Sequence, residues 1–285
     1  MAEKKRFFYG WLILLTCILI MGLGYAPLVS CASLFTKPVT EDLGFTRSGY
    51  ALVSTIAALM MAFMSPFIGK IMSKPYMHKA LVVCMIGNCL AYYCYSFAST
   101  LPQFYVTAAC IGFFECGSTM IPVSVLITNW FRKKRGLVMS IAMVGSSIGG
   151  TILSPIIGNL IASQGWRFTY KAVGITRLVI LVPLVLLVIR RTPADMGTKA
   201  YGADEEGETG KARKTEREWN VSLKEVKKKP MFWCFVLGCT LISATAAVIT
   251  QIPASVMDAG YATTTAASIA SLYLFIAIPG DRKSV

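Results

Sequence analysis

Two charged side chains, Glu115 and Arg177, stand near the middle of long apolar runs. A charge at mid-bilayer costs about 2.5–3.5 kcal/mol on insertion scales, so each needs a function or a partner. A lone carboxyl such as Glu115 suits proton coupling, because it can take up a proton in one state and release it in another. Arg177 suits a carboxylate ligand, which a guanidinium holds through two parallel hydrogen bonds. Structural roles compete with both readings: a protonated Glu115 bonded to a neighbouring helix, and an Arg177 that pairs with Glu115 or snorkels to the interface. Tyr25, beside Pro27, and Gln251 are uncharged polar candidates in other apolar runs. Asn88 reads as a plain interhelical hydrogen bond.

The elements that position these residues follow from the charge pattern. Charge is absent over 7–36, 48–69, 80–114, 136–166, 230–257 and 259–280. A spanning helix needs about 20 mostly apolar residues, and a soluble helix would carry charges on its outer face. The sequence therefore predicts an all-α, polytopic membrane bundle with eight spans, at 8–33, 47–69, 79–97, 102–130, 136–162, 169–189, 231–257 and 262–280. The run from 80 to 114 is too long for one span, and residues 98–102 supply a turn inside it. The apolar part of the N-terminal run exceeds the 7–15 residues, roughly, of a signal peptide, so it reads as a retained first span.

Charge placement gives the orientation. With the N-terminus inside, 23 Lys and Arg face the cytoplasm and 4 face the other side. That asymmetry is the positive-inside pattern. It places both termini and the 191–230 segment in the cytoplasm of a multi-pass cell-membrane protein. It also explains the net charge of +14 without nucleic acid. Residues 191–230 are polar and mixed in charge, and read as a largely flexible linker. Residues 224–229 read as its solvated end, with an amphipathic stretch at the membrane surface as the alternative.

The linker divides a six-span bundle, 1–190, from the two spans of 231–285, and a faint repeat crosses it. Asp42-Leu43-Gly44-Phe45 follows the first span, and Asp258-Ala259-Gly260-Tyr261 follows the seventh. Each is followed by a span rich in small residues and then by proline and basic residues. Parallel six-span halves are a known transporter architecture.

The fifth span carries small residues at every fourth position: Ala142, Ser146, Gly150, Ser154, Gly158 and Ala162. Gly145 and Gly149 widen the strip. Such a surface lets a second backbone approach closely, since lipid provides no hydrophobic drive for association. Pro155 interrupts the helix ladder. The strip serves tight packing, and would also serve as the surface on which two halves rock.

Asn129-Trp130-Phe131-Arg132-Lys133-Lys134-Arg135-Gly136 runs into that span, and Gly165-Trp166-Arg167 follows it. This combination resembles the major facilitator superfamily, and more narrowly its oxalate/formate antiporter and monocarboxylate porter branch. The stretch 150–159 is similar to the superfamily's antiporter motif, with Ser154 and Asn159 standing where the motif has glycines. The loop between spans two and three keeps Gly69, Lys74 and Lys79 of the superfamily pattern, with Ser73 in place of the acid and Tyr76 in place of the second glycine. The resemblance implies that spans one, four and seven line a cavity, which places Tyr25, Glu115 and Gln251 there and Arg177 more peripherally. It also implies twelve spans in two halves, so the sequence leads us to expect a truncated chain that inserts but does not transport alone.

The function these features point to is a secondary transporter of small organic anions, moved with a proton or against a counter-anion. A membrane enzyme is poorly supported: there is one histidine, His78, in a basic loop, and one carboxylate within the spans. No cofactor is expected, since no phosphate-binding G-x-x-x-x-G-K-S/T occurs. The nine cysteines include no C-x-x-C, so no metal is expected either. A receptor or scaffold, or a carrier for another solute class, are the alternatives.

Overall fold

Backbone groups within a bilayer have no water to bond, so apolar runs of this length close their hydrogen bonds internally as helices. The structure, a computed structural model, describes residues 8–72, 74–198, 200–201 and 229–283, with side chains excepted at 194, 239, 242–247, 250 and 277–283. The spans are Gly10–Leu43, Arg47–Met72, Met77–Phe97, Leu101–Trp130 and then Arg135–Val188, which is two spans in one run. Pro230–Thr250 with Ile252–Asp258 forms the seventh, and Thr263–Lys283 the eighth.

Spans five and six are joined without a loop. Gly165, at φ 80° and ψ 165°, is the single non-helical residue between them. Its left-handed φ suits a residue without Cβ. The neighbours of Gly165 hold the corner. Trp166 Nε1 donates to Asp42 Oδ2 at 3.0 Å, and Arg167 donates to the carbonyls of Ser96 and Ala98 at 3.0 and 3.1 Å. The Gly-Trp-Arg triplet is thus a corner that ties the span-five turn to spans one and three.

Span one runs further than the sequence suggests, to Leu43 instead of 33. Its second part, Thr36–Leu43, ends in Gly44 at φ 67°. The repeat seen in the sequence has the same form at its second copy, where Ile252–Asp258 ends before Gly260 at φ 91°. Both copies therefore end a span with a left-handed glycine just after an aspartate.

Three spans break where the sequence supplies the cause. Span one opens into a π-helical segment, Ile20–Tyr25, just before Pro27, whose missing N–H disrupts the ladder. Span four breaks at Thr119, three residues before Pro122. Span seven breaks at Gln251, two residues before Pro253.

The core has two parts. At the end near the 191–230 segment, here the linker side, it is aliphatic and sulfur-rich, built around Ile13, Cys17, Met72, Met85, Trp130 and Val185. At the opposite side it is aromatic, with Phe35, Tyr50, Tyr92, Tyr95, Phe104 and Tyr170. Phe35 stacks on Tyr170 at 4.1 Å between ring centroids.

The segment after span six begins docked. Trp130 Nε1 donates to Arg190 O at 2.9 Å, and Tyr201 bonds the backbone beside Trp130 and Phe131. The Tyr201 ring packs against Phe8, Trp11 and Phe131 at these helix ends. Ser73, the charged stretch 204–214, Trp219 and residues 224–228 lie outside the described residues, as does the side chain of Cys239.

Candidate functional site

The break at Thr119 places Glu115 in the last turn of the first helical piece of span four. There it is 5% exposed. Both of its oxygens accept a hydrogen bond: Oε2 from Asn88 Nδ2 at 2.7 Å, and Oε1 from Thr119 Oγ1 at 3.0 Å. A buried carboxyl must be bonded to persist, and these two donors meet that need.

Arg177, on span six, is 2% exposed. Its Nη2 donates to Gly24 O at 2.8 Å and to Asn88 Oδ1. The Gly24 carbonyl belongs to the π segment of span one, where the ladder is already disturbed. Asn88 therefore stands between Glu115 and Arg177 and uses both ends of its amide. The guanidinium Cζ lies 5.0 Å from the Tyr92 ring centroid, a cation–π contact. One network thus joins spans one, three, four and six. Asn88 is more central to it than a sequence reading suggests: nothing in the sequence distinguishes an amide linking two charges from an ordinary one.

Beside this network is a cavity of about 570 Å³ on the side opposite the linker. Span one supplies Pro27 and Ser33, span two Tyr50, span three Tyr92, span four Glu115 and span seven Gln251. Its size fits the range of about 300–1,000 Å³ for small-molecule sites. Of the sequence candidates, Glu115 and Gln251 line it. Tyr25 is half-buried against the core and is not among the lining residues. Arg177 is not a lining residue; it lies behind Tyr92.

The small-residue strip of span five divides into two faces. A Cβ on Gly145 would come within 2.5 Å of Ile18 O, and one on Gly149 within 2.4 Å of Gly22 Cα. This face meets span one backbone to backbone. The other face meets span eight: a Cβ on Gly150 would lie 2.6 Å from Leu274 Cδ1, and one on Gly158 2.5 Å from Ala267 Cβ. Ser154, between them, is buried with its Oγ 3.4 Å from Cys31 Sγ. Pro155 is half-buried. Two further close approaches are not evident from spacing. A Cβ on Gly112 would reach 2.2 Å from Ala57 O, and one on Gly174 3.1 Å from Tyr93 Cβ.

On the side opposite the linker, the first six spans and the last two are also joined by polar groups. Arg47 pairs with Asp258, and Lys37 Nζ donates to Met257 O at 2.6 Å. On the linker side, Arg135 Nε donates to Phe131 O at 3.2 Å, and Gly136 O accepts from Ser140 Oγ at 3.1 Å. Lys74 Nζ lies 5.9 Å from the Tyr76 ring centroid, and a Cβ on Gly69 would meet nothing within 4 Å.

Comparison with known proteins fits this architecture. The Major Facilitator Superfamily model matches residues 12–282. A bacterial homologue of the human lysosomal transporter Spinster, in an inward-facing and unoccupied conformation, shares the fold. The TM-score is 0.76 at 17% identity, over 98% of this chain and 62% of that one. Monocarboxylate transporter 2 of Homo sapiens is 24% identical over 229 residues, covering 79% of this chain and 45% of the relative. The MFS-type transporter pynF of Aspergillus niger is 27% identical over 189 residues, covering 65% and 43%. This chain belongs to the Major Facilitator Superfamily and is a multi-pass membrane protein of transporter type. It spans less than half the length of these two sequence relatives.

Proposed function

We propose that the chain forms part of a secondary transporter that moves small organic anions, of monocarboxylate or oxalate/formate type, across the cell membrane by alternating access. The observation that carries this reading is Glu115, a buried carboxyl that lines a small-molecule-sized cavity reached by both the first six spans and span seven. The names of the monocarboxylate transporter relatives support the substrate class.

Alternating access needs the two halves to separate on one side at a time. The contacts Arg47–Asp258 and Lys37–Met257 fit a molecule closed on the side opposite the linker. The Gly150 and Gly158 face of span five supplies the smooth surface for rocking against span eight, while the Gly145 and Gly149 face is fixed on span one. In this scheme the linker side is cytoplasmic, with both termini. Glu115 carries the coupled proton, if a proton moves with the anion; exchange against a second anion is the other mode. Gly69, Lys74, Arg135 and Gly136 belong to the cytoplasmic loop ends.

The experiment is uptake of radiolabelled short-chain carboxylates into proteoliposomes carrying a full-length, twelve-span form that contains these residues. Saturable uptake supports the proposal. Equal rates with and without protein would set it aside in favour of a receptor or scaffold.

A further inference from the structure

We propose that the cavity receives its carboxylate on two neutral hydroxyls, Tyr92 Oη of span three and Ser33 Oγ of span one, with Arg177 behind them as the balancing charge. This rests on the reading of the protein as a carrier of small organic anions.

Tyr92 and Ser33 are buried, at 2% and 7% exposure, and both line the cavity. Neither hydroxyl oxygen has a hydrogen-bond partner among the described residues. Buried hydroxyls in native proteins are nearly always bonded, so two unbonded ones on a single cavity wall need an explanation. A ligand rich in acceptor oxygens supplies one. Glu115, on the same cavity, is not the missing partner: neither hydroxyl makes a hydrogen bond to it, and its own bonds come from Asn88 and Thr119.

When Glu115 is protonated, Arg177 is the uncompensated charge beside the cavity, and charge balance then favours a carboxylate over a neutral ligand. The Arg177 guanidinium lies 5.0 Å from the Tyr92 ring centroid, on a side chain that does not itself line the cavity. Its Nε and Nη1 also have no partner among the described residues. The positive charge thus acts across the phenol ring, in a low-dielectric wall where it is poorly screened. Recognition by hydroxyls, with the cation one layer back, holds an anion without the tight bond that would prevent its release. Both hydroxyl oxygens are shielded in this conformation, so binding requires the wall to part by side-chain rotation. The apolar wall beside them, including Pro27, Val53 and Ala57, suits a short hydrocarbon tail.

The test is equilibrium binding of radiolabelled propionate to the twelve-span form in lipid nanodiscs, for wild type, Tyr92→Phe and Ser33→Ala, with a melting temperature for each. Tyr92→Phe keeps the ring and the cation–π contact and removes only the hydroxyl. It is expected to weaken binding about tenfold, and Ser33→Ala about threefold, the size of one lost hydrogen bond to a charged ligand or somewhat less. Melting temperatures should stay close to wild type. Should Tyr92→Phe fail to fold, Ser33→Ala and its rescue by Ser33→Thr decide the matter. Wild-type binding with unchanged affinity in the folded variants overturns the hydroxyl site and leaves the transport reading standing. Absence of saturable propionate binding by the wild type overturns the anion reading itself.

Discussion

Asn88 donates a 2.7 Å hydrogen bond to Glu115, from the middle of span three to the broken turn of span four. The same amide accepts from Arg177, so two opposite charges are held apart by one neutral side chain. Removing it leaves Glu115 with only its Thr119 bond and Arg177 with only its hydrogen bond to Gly24 O. Asn88→Leu is expected to destabilise the protein by about 1–3 kcal/mol, since it takes a partner from each of two buried groups. A lowered melting temperature in detergent checks this. A variant as stable as wild type would show that the two charges find other partners.

Glu115 has a different expected phenotype. Glu115→Gln preserves the shape and one acceptor but cannot ionise. In a full-length transporter it should reduce coupled uptake at least tenfold while leaving expression near normal. Unchanged flux together with an unchanged pH profile would assign Glu115 to architecture alone.

The two faces of span five should respond differently to added bulk. Gly149→Ala places a methyl against the Gly22 backbone, which has no flexible end to move aside. It should lower stability by about 1–3 kcal/mol, as overpacking does. Gly150→Leu meets Leu274 on span eight first and Ser30 on span one next, and should impair flux as well as folding. Ile152→Leu, at a site 55% exposed, is the control and should behave as wild type. Equal flux for Gly150→Leu and Ile152→Leu would count against close approach of spans five and eight.

The ion pair between Arg47 and Asp258 is partly exposed, so its contribution to stability is small. Its value lies in which state it favours. Arg47→Glu should open the side opposite the linker, and Arg47→Glu with Asp258→Arg should close it again. Accessibility of a cysteine placed at Ser54, on the cavity wall, to a membrane-impermeant thiol reagent reads this out. Identical labelling in the single and the double variant would remove the pair from the gate.

Much of this fold is legible in the sequence because a bilayer imposes it. The charge-free runs mark the spans, but hydropathy ends span one at 33, whereas the helix continues to Leu43, beside the first Asp-x-Gly copy. The resemblance carried by residues 129–136 and 165–167 leads to the superfamily that the family comparison shows. The corner at Gly165 is less legible, since nothing in its spacing separates a one-residue reversal from a longer loop. Asn88 is read correctly as an interhelical hydrogen bond, but its link to two charges is not legible, because that depends on spans three, four and six meeting at one depth, and hydropathy does not report depth to within a turn. The unbonded hydroxyls of Tyr92 and Ser33 are likewise a property of packing. Conversely, Glu115 stands out in the sequence because a lone carboxyl in an apolar run is costly wherever its helix is placed.

The most direct test of the account is proton-coupled carboxylate flux through the twelve-span form in proteoliposomes, compared between wild type and Glu115→Gln. The account predicts saturable propionate uptake by the wild type, stimulated by an inward proton gradient, and loss of that stimulation in Glu115→Gln with intact insertion. Gradient-driven uptake that persists at the wild-type rate in Glu115→Gln would contradict it.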